Sequence, residues 1–484
     1  MRFVLMVMDG LRPDLVTPAL MPRLARLAAE GTRFAAARSV FPSETRVATS
    51  SLLTGCRPGA HGLAANTLFD RAAAPDRLLR TNRLADLALL AGDAPSPLQR
   101  PGLGEILAAA GRSLAVVSAG SPGQTLLAHP LAEALGAFRW NAEDTDTAAA
   151  RRVAARLGAT PPAAVPNIPR VEHAARVLTE VVLPELVPDV ALLWCPEPDV
   201  SFHYRGLLAG ETRAALAAAD AVLGRVLAWR EARPDAAEIA VLVLSDHGHV
   251  TGHRKLDIAA ELRRGGFAAG QDAEAEVVVA PAAAPGLWLR DPGLAPRLAD
   301  WLAGQPWAGP LLARDPALLP GALPLSLLDA AHARSADLML LLAGEEAPDA
   351  WGLPGRAPFD AQDVPEGGGM HGGLHRRELA TVLVADGGPF RRGATVQAAC
   401  DLTDIAPTLL HLLGLPAAGM QGRVLTEGWD AAVDSPPAGE AIALPRGFTL
   451  ELARQGGRLY PTALWRGDDK AGASAVSPGE RKTL

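Results

Sequence analysis

The 484-residue sequence is short of cysteine, of aromatic residues and of long apolar runs. Its three cysteines, Cys56, Cys195 and Cys400, are odd in number and widely spaced. This excludes a disulfide framework and a zinc ribbon, and it predicts free thiols in a reducing compartment. Aromatic residues make up 4% of the chain, too few for a surface on which nucleic-acid bases stack. No apolar run reaches the length of a membrane span, so no membrane association is expected.

The chain also lacks an excess of basic residues. Its net charge of −7 disfavours a nucleic-acid scaffold, because phosphate backbones are bound by basic faces. The first apolar run, Phe3–Met8, is too short for a signal peptide, and no small-residue cleavage site follows it. We interpret it as a buried strand that ends at Asp9, and we expect a cytoplasmic protein. The remaining composition, 49% hydrophobic and 20% charged, is typical of a globular chain with a sizeable core.

Short apolar runs alternate with helical segments through the first half of the chain. We predict an α/β fold with a central, mostly parallel sheet flanked by helices, because such runs are typical of strands that are covered on both faces. The predicted strands are Phe3–Met8, Ser113–Ser118, Val190–Cys195, Ile239–Leu244 and Leu379–Ala385. The predicted helices include Pro22–Glu30, Gly104–Ala110 and Thr212–Glu231.

The pattern loosens into Pro- and Ala-rich segments after residue 251 and resumes near residue 369. We therefore predict a catalytic core in two parts, residues 1–251 and 369–427, with an inserted cap domain at 252–368. Residues 428–484 are predicted to be an irregular C-terminal tail, with the last fifteen residues disordered.

Carboxylate and imidazole side chains follow the predicted strands, where an open α/β sheet binds its ligands. These residues are Asp9, Asp199, His203, Asp246, His247 and His371. Asp199 and His203 are four residues apart, so they share one face of a helical turn. Three Asp and three His without cysteine suit two divalent cations, such as Zn²⁺, with Mn²⁺ as the alternative. Each residue alone is weak evidence, but together they indicate a two-metal site.

The stretch "SVFPSETRVATSSLLTG" (39–55) places Thr45 at the start of a predicted helix. A helix N-terminus offers backbone N–H groups and a positive dipole end to an anion. Thr45 alone could simply cap this helix. A threonine hydroxyl is a poor nucleophile, but a metal bound to its oxygen lowers its pKa, so the metal ligands favour attack by Thr45.

The chain resembles the alkaline phosphatase superfamily, nearest its type I phosphodiesterase/nucleotide pyrophosphatase and phosphonoacetate hydrolase branch. The resemblance spans positions 4–373, and its motifs stand in the family's order: "VLMVMDGLRPD", "FPSETRVATSSLLTGCRPGAHGLAANT", "PDVSFHYRG", "SDHGH" and "GGMHGG". It implies a metal-dependent hydrolase that cleaves phosphodiester, pyrophosphate or phosphonate bonds of a small molecule through a covalent phosphothreonine.

The resemblance also implies roles for individual residues. One zinc ion would be held by Asp199, His203 and His371. The other would be held by Asp9, Asp246, His247 and the Thr45 oxygen. Asn66 matches the residue that donates to a phosphoryl oxygen beside the nucleophile. His249 and His253 receive no ligand role, since both are expected to be solvated or to lie behind the ligands.

Two positions depart from the relatives of this branch. Phosphonoacetate hydrolases use lysines after the strand that corresponds to Ser113–Ser118, and "VVSAGSPGQTLL" (116–127) contains none. Nucleotide phosphodiesterases carry an aromatic residue after the nucleophile, where this chain has Arg46. Arg46 either pairs with a second anionic group of the substrate or points to solvent. The alternatives to a diesterase are a phosphomonoesterase or phosphonate hydrolase on the same metals, and an inactive binding protein.

Overall fold

The structure is a computed structural model that describes residues 1–272 and 274–467, and the backbone of 481–483. Its centre is a sheet of eight described strands. Across the sheet, these are Ala394–Val396, Thr32–Phe34, Leu383–Asp386, Ile239–Leu244, Arg2–Met8, Val190–Cys195, Leu114–Ser118 and Arg139–Asn141. Five of the neighbouring pairs run parallel, while Leu383–Asp386 runs antiparallel to both of its neighbours. The mostly parallel α/β sheet is therefore confirmed.

Helices cover both faces of this sheet, so the central strands are buried on both sides. Along Arg2–Met8, alternate residues belong to two separate apolar clusters: Val4, Met6 and Met8 pack into one, and Phe3, Leu5 and Val7 into the other. The α-helices are Pro22–Glu30, Thr45–Thr54, Pro58–His61, Leu84–Ala91, Leu103–Ala109, Pro122–Ala128, Ala148–Leu157, Ile168–Arg176, Asp199–Arg205, Gly210–Glu231, Ile258–Arg264, Ala295–Ala303, Arg376–Leu379 and Ile405–Leu412. A π-helical segment, Val177–Leu186, continues Ile168–Arg176.

The insertion predicted at 252–368 contains a sheet and an apolar cluster of its own. The sheet consists, in order, of Ala269–Gly270, Val277–Ala280, Gly286–Leu289, Leu338–Leu342, Ala308–Ala313 and Leu323–Pro324. A smaller sheet links the insertion to the core through Glu345–Pro348, Pro354–Phe359, Val250–Lys255 and Gly369–Met370. The helices Ile258–Arg264 and Ala295–Ala303 contribute apolar residues to the cluster of the larger sheet. The domain boundaries themselves stay a prediction.

Two secondary-structure expectations are wrong. The last predicted strand, Leu379–Ala385, begins instead at Leu383, because the helix Arg376–Leu379 occupies its start. Residues 438–466 are not irregular but form antiparallel strands, Ala438–Leu444, Phe448–Gln455 and Arg458–Arg466. Phe448, Leu450 and Leu452 alternate with less buried residues, and Gly456 and Gly457 adopt the positive φ of a tight turn. Arg481–Thr483 pairs with Ala438–Leu444. The predicted terminal disorder otherwise lies outside the described residues.

Contacts between the C-terminal hairpin and the core include the buried side chain of Arg57, which also pairs with Asp401, and a backbone contact near the site. Arg57 Nη2 lies 2.7 Å from Asp401 Oδ2 and donates to Leu459 O at 2.6 Å. Leu464 N donates to Leu374 O at 2.7 Å, three residues after His371. The three cysteines are free and buried, as the sequence predicts. Within the described residues, no helix combines the length and the apolar character needed to cross a membrane.

Asp401 holds the Arg57 guanidinium that donates to Leu459 O, so removing Asp401 gives a test of this attachment. Asp401→Ala leaves the guanidinium of Arg57 buried with only the exposed Asp329 as a carboxylate partner. We therefore expect the free energy of unfolding to fall by about 3 kcal/mol. For a chain of this length, about 1 °C of thermal midpoint corresponds to each kcal/mol. Thermal unfolding should therefore show a fall of about 3 °C. Asp146→Ala, at a fully exposed carboxylate, is the matched control and should change the midpoint by less than about 0.5 °C. An equal shift in the two variants would contradict the anchoring role.

Candidate active site

The three predicted aspartates lie together at the carboxyl edge of the central sheet. Asp9 follows Arg2–Met8, Asp246 follows Ile239–Leu244, and Asp199 begins the helix after Val190–Cys195. Their loops are joined through the backbone, since Asp9 N donates to Cys195 O at 3.0 Å and Asp199 N donates to Asp9 O at 3.1 Å. The parallel register of the three strands brings these carboxylates to one place.

Thr45 begins a buried helix that points its N-terminus into the same place. Every residue of Thr45–Thr54 except Arg46 is buried, so packing fixes the direction of the helix. Thr45 Oγ1 lies 3.2 Å from His247 Nε2. The positive end of the helix dipole and the hydroxyl therefore face the acidic side chains.

One group of ligand atoms centres on His247, which contacts the Thr45 hydroxyl. His247 Nε2 lies 3.4 Å from Asp9 Oδ1 and 3.3 Å from Asp246 Oδ2. Both carboxylates have a donor on the other oxygen, because Trp194 Nε1 donates to Asp9 Oδ2 at 2.8 Å and Gly10 N donates to Asp246 Oδ1 at 3.0 Å. The oxygens that face His247 have no hydrogen-bond partner within the described chain. The arrangement is able to hold a cation.

A second group of ligand atoms centres on Asp199 Oδ1. This atom lies 3.0 Å from His249 Nε2, 3.3 Å from His203 Nε2 and 3.5 Å from His371 Nε2. The ligand atoms of Asp199, His247, His249 and His371 all lie within 4.8 Å of one another, and this set is likewise able to hold a metal ion. His203 contacts Asp199 but is not a member of that four-residue set.

Backbone carbonyls fix the tautomers of the site histidines. A carbonyl oxygen can only accept, so each ring carries its proton on Nδ1 and directs the lone pair of Nε2 into the site. The Nδ1 contacts are His203 to Gly369 O at 2.6 Å, His247 to Gly248 O at 3.1 Å, His249 to Gly10 O at 3.0 Å and His371 to Ser43 O at 2.8 Å. Burial also lowers the pKa of His247 to about 3, which keeps its ring neutral.

The electrostatics of the site favour a bound cation. Burial, together with repulsion from Asp246 and Asp199, holds the pKa of Asp9 well above its ordinary value. Burial and Asp199 raise the pKa of Asp246 in the same way. Buried carboxylates without partners are costly, and divalent cations relieve that cost by direct coordination. The orphaned oxygens and the Nε2 atoms of the imidazoles therefore fit divalent metal ions.

Asn66 lies beside the N-terminus of the helix Thr45–Thr54. Its Oδ1 accepts from Arg46 N at 3.0 Å, and because a backbone N–H can only donate, this contact fixes the orientation of the amide. The NH₂ group of Asn66 is then available as a donor. The backbone N–H of Asn66 donates to the buried Glu44 carboxylate, which precedes Thr45.

Arg46 is half-buried, with its Nε 3.4 Å from Thr81 Oγ1. Burial lowers the pKa of Arg46, while Glu44 and the site aspartates Asp9, Asp199 and Asp246 act to raise it. The guanidinium therefore lies within electrostatic range of the site carboxylates. Of the two interpretations from the sequence, a side chain that points freely into solvent is the less consistent with these contacts.

Two residues that contribute to the site, His249 and Trp194, could not be identified from the sequence. His249 is fully buried in the site, whereas His253 is exposed as expected. The second histidine of "SDHGH" was the available signal, but the direction of its side chain depends on the turn at Gly248. Trp194, which holds Asp9, gave no signal, because only the pairing of its strand with Arg2–Met8 brings the two residues together.

Comparison with known proteins gives two kinds of relationship. A curated relative, the venom phosphodiesterase CdcPDE of Crotalus durissus collilineatus, is 25% identical over 248 residues, which are 51% of this chain and 26% of that protein. The chain thus aligns with only about a quarter of the length of that relative. In the solved structures of murine ectonucleotide pyrophosphatase/phosphodiesterase 5, the TM-score is 0.63 at 15% identity, covering 87% of this chain and 97% of the murine chain. An inactive threonine-to-alanine variant of that protein, in complex with AMP, matches equally well at 16% identity.

These two solved structures share the fold of this chain. The family model for type I phosphodiesterase/nucleotide pyrophosphatase matches residues 3–298, more than half of the chain, and this range contains every predicted site residue except His371. The resemblance stated from the motifs is confirmed. The chain belongs to the type I phosphodiesterase/nucleotide pyrophosphatase family.

Proposed function

We propose that this protein hydrolyses phosphodiester bonds of a small-molecule substrate, with Thr45 as the nucleophile and two bound divalent metal ions, most simply zinc. The observation that carries the proposal is the position of the Thr45 hydroxyl. It lies at a helix N-terminus, 3.2 Å from His247, in a group of unpartnered carboxylates. Family membership and the phosphodiesterase names of the relatives support the reaction class.

The metal ions would be held by two sets of residues. Asp9, Asp246, His247 and the Thr45 oxygen would form one set, and Asp199, His203 and His371 the other. Bound there, divalent cations would supply the Lewis acidity that lowers the pKa of the threonine hydroxyl and stabilises the leaving oxygen.

In the first step, Thr45 Oγ1 forms a bond to phosphorus and the ester bond to the leaving alcohol breaks. The alcohol departs with a proton, and the phosphoryl group stays on Thr45. In the second step, water attacks phosphorus and the Thr45 oxygen leaves, which restores the hydroxyl. The net reaction converts a diester and water into a monoester and an alcohol.

Residues beside Thr45 stabilise the charge that builds up on the phosphoryl oxygens. The Asn66 amide can donate to a non-bridging oxygen, a contribution on the order of 3 kcal/mol when the donor is held in place. Glu44 and the backbone of Arg46 hold Asn66 in that place. The helix N-terminus adds a fixed positive dipole end.

The charge of the site fits a diester. Two divalent cations bring four positive charges, and Asp9, Asp199 and Asp246 bring three negative ones. The remaining positive charge matches a singly charged phosphodiester alone better than it matches the diester together with a Thr45 alkoxide, and a dianionic monoester needs further cationic help. The AMP complex of the murine protein supports a nucleotide among the small molecules to test first. A cytoplasmic location stays a prediction.

Thr45→Ala tests the nucleophile. We expect turnover of a p-nitrophenyl diester to fall by at least ~10³-fold while the metal content stays close to that of the wild type, because the attacking oxygen is lost. Thr45→Ser should retain part of the turnover, since a hydroxyl remains. Thr54→Ala, at the far end of the same helix, is the control and should keep most of the activity. Activity near the wild-type value in Thr45→Ala would contradict a covalent threonine.

Metal content gives the next prediction. Elemental analysis should find about two divalent ions per chain, mostly zinc, because the ligands divide into two sets. Chelation should abolish activity and lower the thermal midpoint, since a ligand that binds only the folded state stabilises it. Asp246→Ala should lower both the metal content and the activity, whereas Asp300→Ala, at an exposed carboxylate, should lower neither. Full activity with no more than one metal ion per chain would overturn the two-metal site.

Arg46 provides a prediction on substrate preference. A charge-assisted hydrogen bond contributes about 1.5–3 kcal/mol, so Arg46→Ala should lower kcat/KM by roughly ten- to a hundredfold for substrates with an extra negative group near the phosphorus. A plain aryl diester should lose much less, and Arg46→Lys should recover part of the loss. Arg26→Ala, at an exposed helix position, serves as the control. Equal losses for charged and plain substrates would assign Arg46 no role in recognition.

A further inference from the structure

The imidazole ring of His249 is closely packed on several sides, unlike that of a histidine exposed to solvent. Two glycines give the ring its space: a Cβ added to Gly10 would lie 2.3 Å from His249 Cε1, and a Cβ added to Gly369 would lie 2.8 Å from His249 Cδ2. Gly10 also has φ +70°, a conformation that favours glycine. Phe202 packs edge-on against the ring, with the ring centroids 5.0 Å apart. The surrounding residues therefore fix the position and the direction of the imidazole.

That direction brings two lone pairs face to face. His249 Nδ1 donates to Gly10 O, so Nε2 carries no proton in the neutral ring. Nε2 lies 3.0 Å from Asp199 Oδ1, and both atoms are buried without a hydrogen-bond partner in the described part of the chain. An unprotonated nitrogen and a carboxylate oxygen repel each other at this distance. A cation between or beside them removes the repulsion.

A single proton does not satisfy this arrangement. Asp199 Oδ1 also faces the Nε2 atoms of His203 at 3.3 Å and of His371 at 3.5 Å, and each of these rings likewise donates from Nδ1 to a carbonyl. A proton can bridge the oxygen to one imidazole only. A metal ion can bind Asp199 Oδ1 and the Nε2 atoms of all three imidazoles, because ligand atoms at about 2.0–2.1 Å from zinc lie roughly 3–3.5 Å from one another.

We propose that His249 is a direct ligand of the metal ion at Asp199, which gives that centre one carboxylate and three imidazoles: Asp199, His203, His249 and His371. The inference rests on the proposed two-metal function and adds a ligand that neither the motif resemblance nor that proposal includes. The net charge of the site is unchanged, because the added ligand is neutral.

The extra imidazole alters which metals the centre prefers. The Thr45 centre offers two carboxylates, one imidazole and a hydroxyl oxygen, whereas the Asp199 centre becomes rich in nitrogen. Imidazole ligands suit Zn²⁺, and carboxylate and water ligands suit Mg²⁺ and Mn²⁺. The Asp199 centre should therefore discriminate against Mn²⁺ more strongly than the Thr45 centre does.

The direct test uses the wild-type protein loaded with zinc, so that no variant has to fold. A crystal structure with anomalous data at the zinc edge should place His249 Nε2 within about 2.0–2.2 Å of the ion at Asp199. A zinc ion on Asp199, His203 and His371 with His249 Nε2 more than about 3 Å away would overturn the inference and leave the two-metal site intact. A folded wild-type protein that binds no metal would overturn the proposed function as well.

A second test measures affinity by competition with a zinc chelator. In His249→Asn, one of the two zinc ions should bind at least about tenfold more weakly while the other keeps its affinity, and the preference for Zn²⁺ over Mn²⁺ at the weakened centre should fall. His253→Asn, four residues along at an exposed position, is the matched control and should hold both ions as the wild type does. Unchanged affinity for both ions in His249→Asn would also overturn the inference.

Discussion

Repulsion among three neighbouring carboxylates is the constraint on which the site depends. Ligand atoms of the buried Asp9 and Asp246 lie within 4.8 Å of each other, and the partly buried Asp199 adds its repulsion to both. Such an arrangement is stable only when cations or donors are supplied. Trp194 and the Gly10 N–H supply one donor each, and the remaining oxygens of Asp9 and Asp246 face Nε2 of His247. The repulsion therefore lowers the free energy of unfolding, and a bound cation would offset this loss of stability.

The scaffold limits how far these groups can separate. The strands that carry them are buried on both faces, and their parallel register ends them at one edge of the sheet. The Nδ1–carbonyl contacts then hold each imidazole in one orientation. His247 stacks on His371 with ring centroids 3.5 Å apart. The two groups of ligand atoms are therefore in direct contact, and a displacement of one ring would displace the other.

The sequence was most informative where burial was complete. Each of the five apolar runs that were predicted to be strands contains a strand, although the last begins only at Leu383, because a strand covered on both faces must be apolar throughout. Asp9, Asp199 and Asp246 were identifiable for the same reason, since each follows such a run. The antiparallel direction of Leu383–Asp386 could not be predicted from the sequence, because residue composition does not depend on the direction of a strand.

Other features depended on contacts between segments that are far apart in the chain. The inward position of His249 follows from the space that Gly10 and Gly369 leave, and neither glycine is near it in sequence. Trp194 reaches Asp9 only through the pairing of two strands nearly 190 residues apart in the chain. The hairpin of 448–466 has an alternating pattern and a Gly-Gly turn. The alternation is interrupted at Ala453 and Pro461, close to the shift in strand register between Glu451 and Leu452, and this interruption obscured the strands in the sequence.

The contact between Leu464 and Leu374 has a consequence for how the protein matures. Asp9 leaves the ribosome first, the loop of His371 follows more than 360 residues later, and the strand that braces this loop follows almost a hundred residues after that. The contacts of highest sequence separation form last and slowest. During synthesis, the aspartates of the site are therefore present long before His371 and the strand that contacts its loop. The complete site can form only near the end of synthesis.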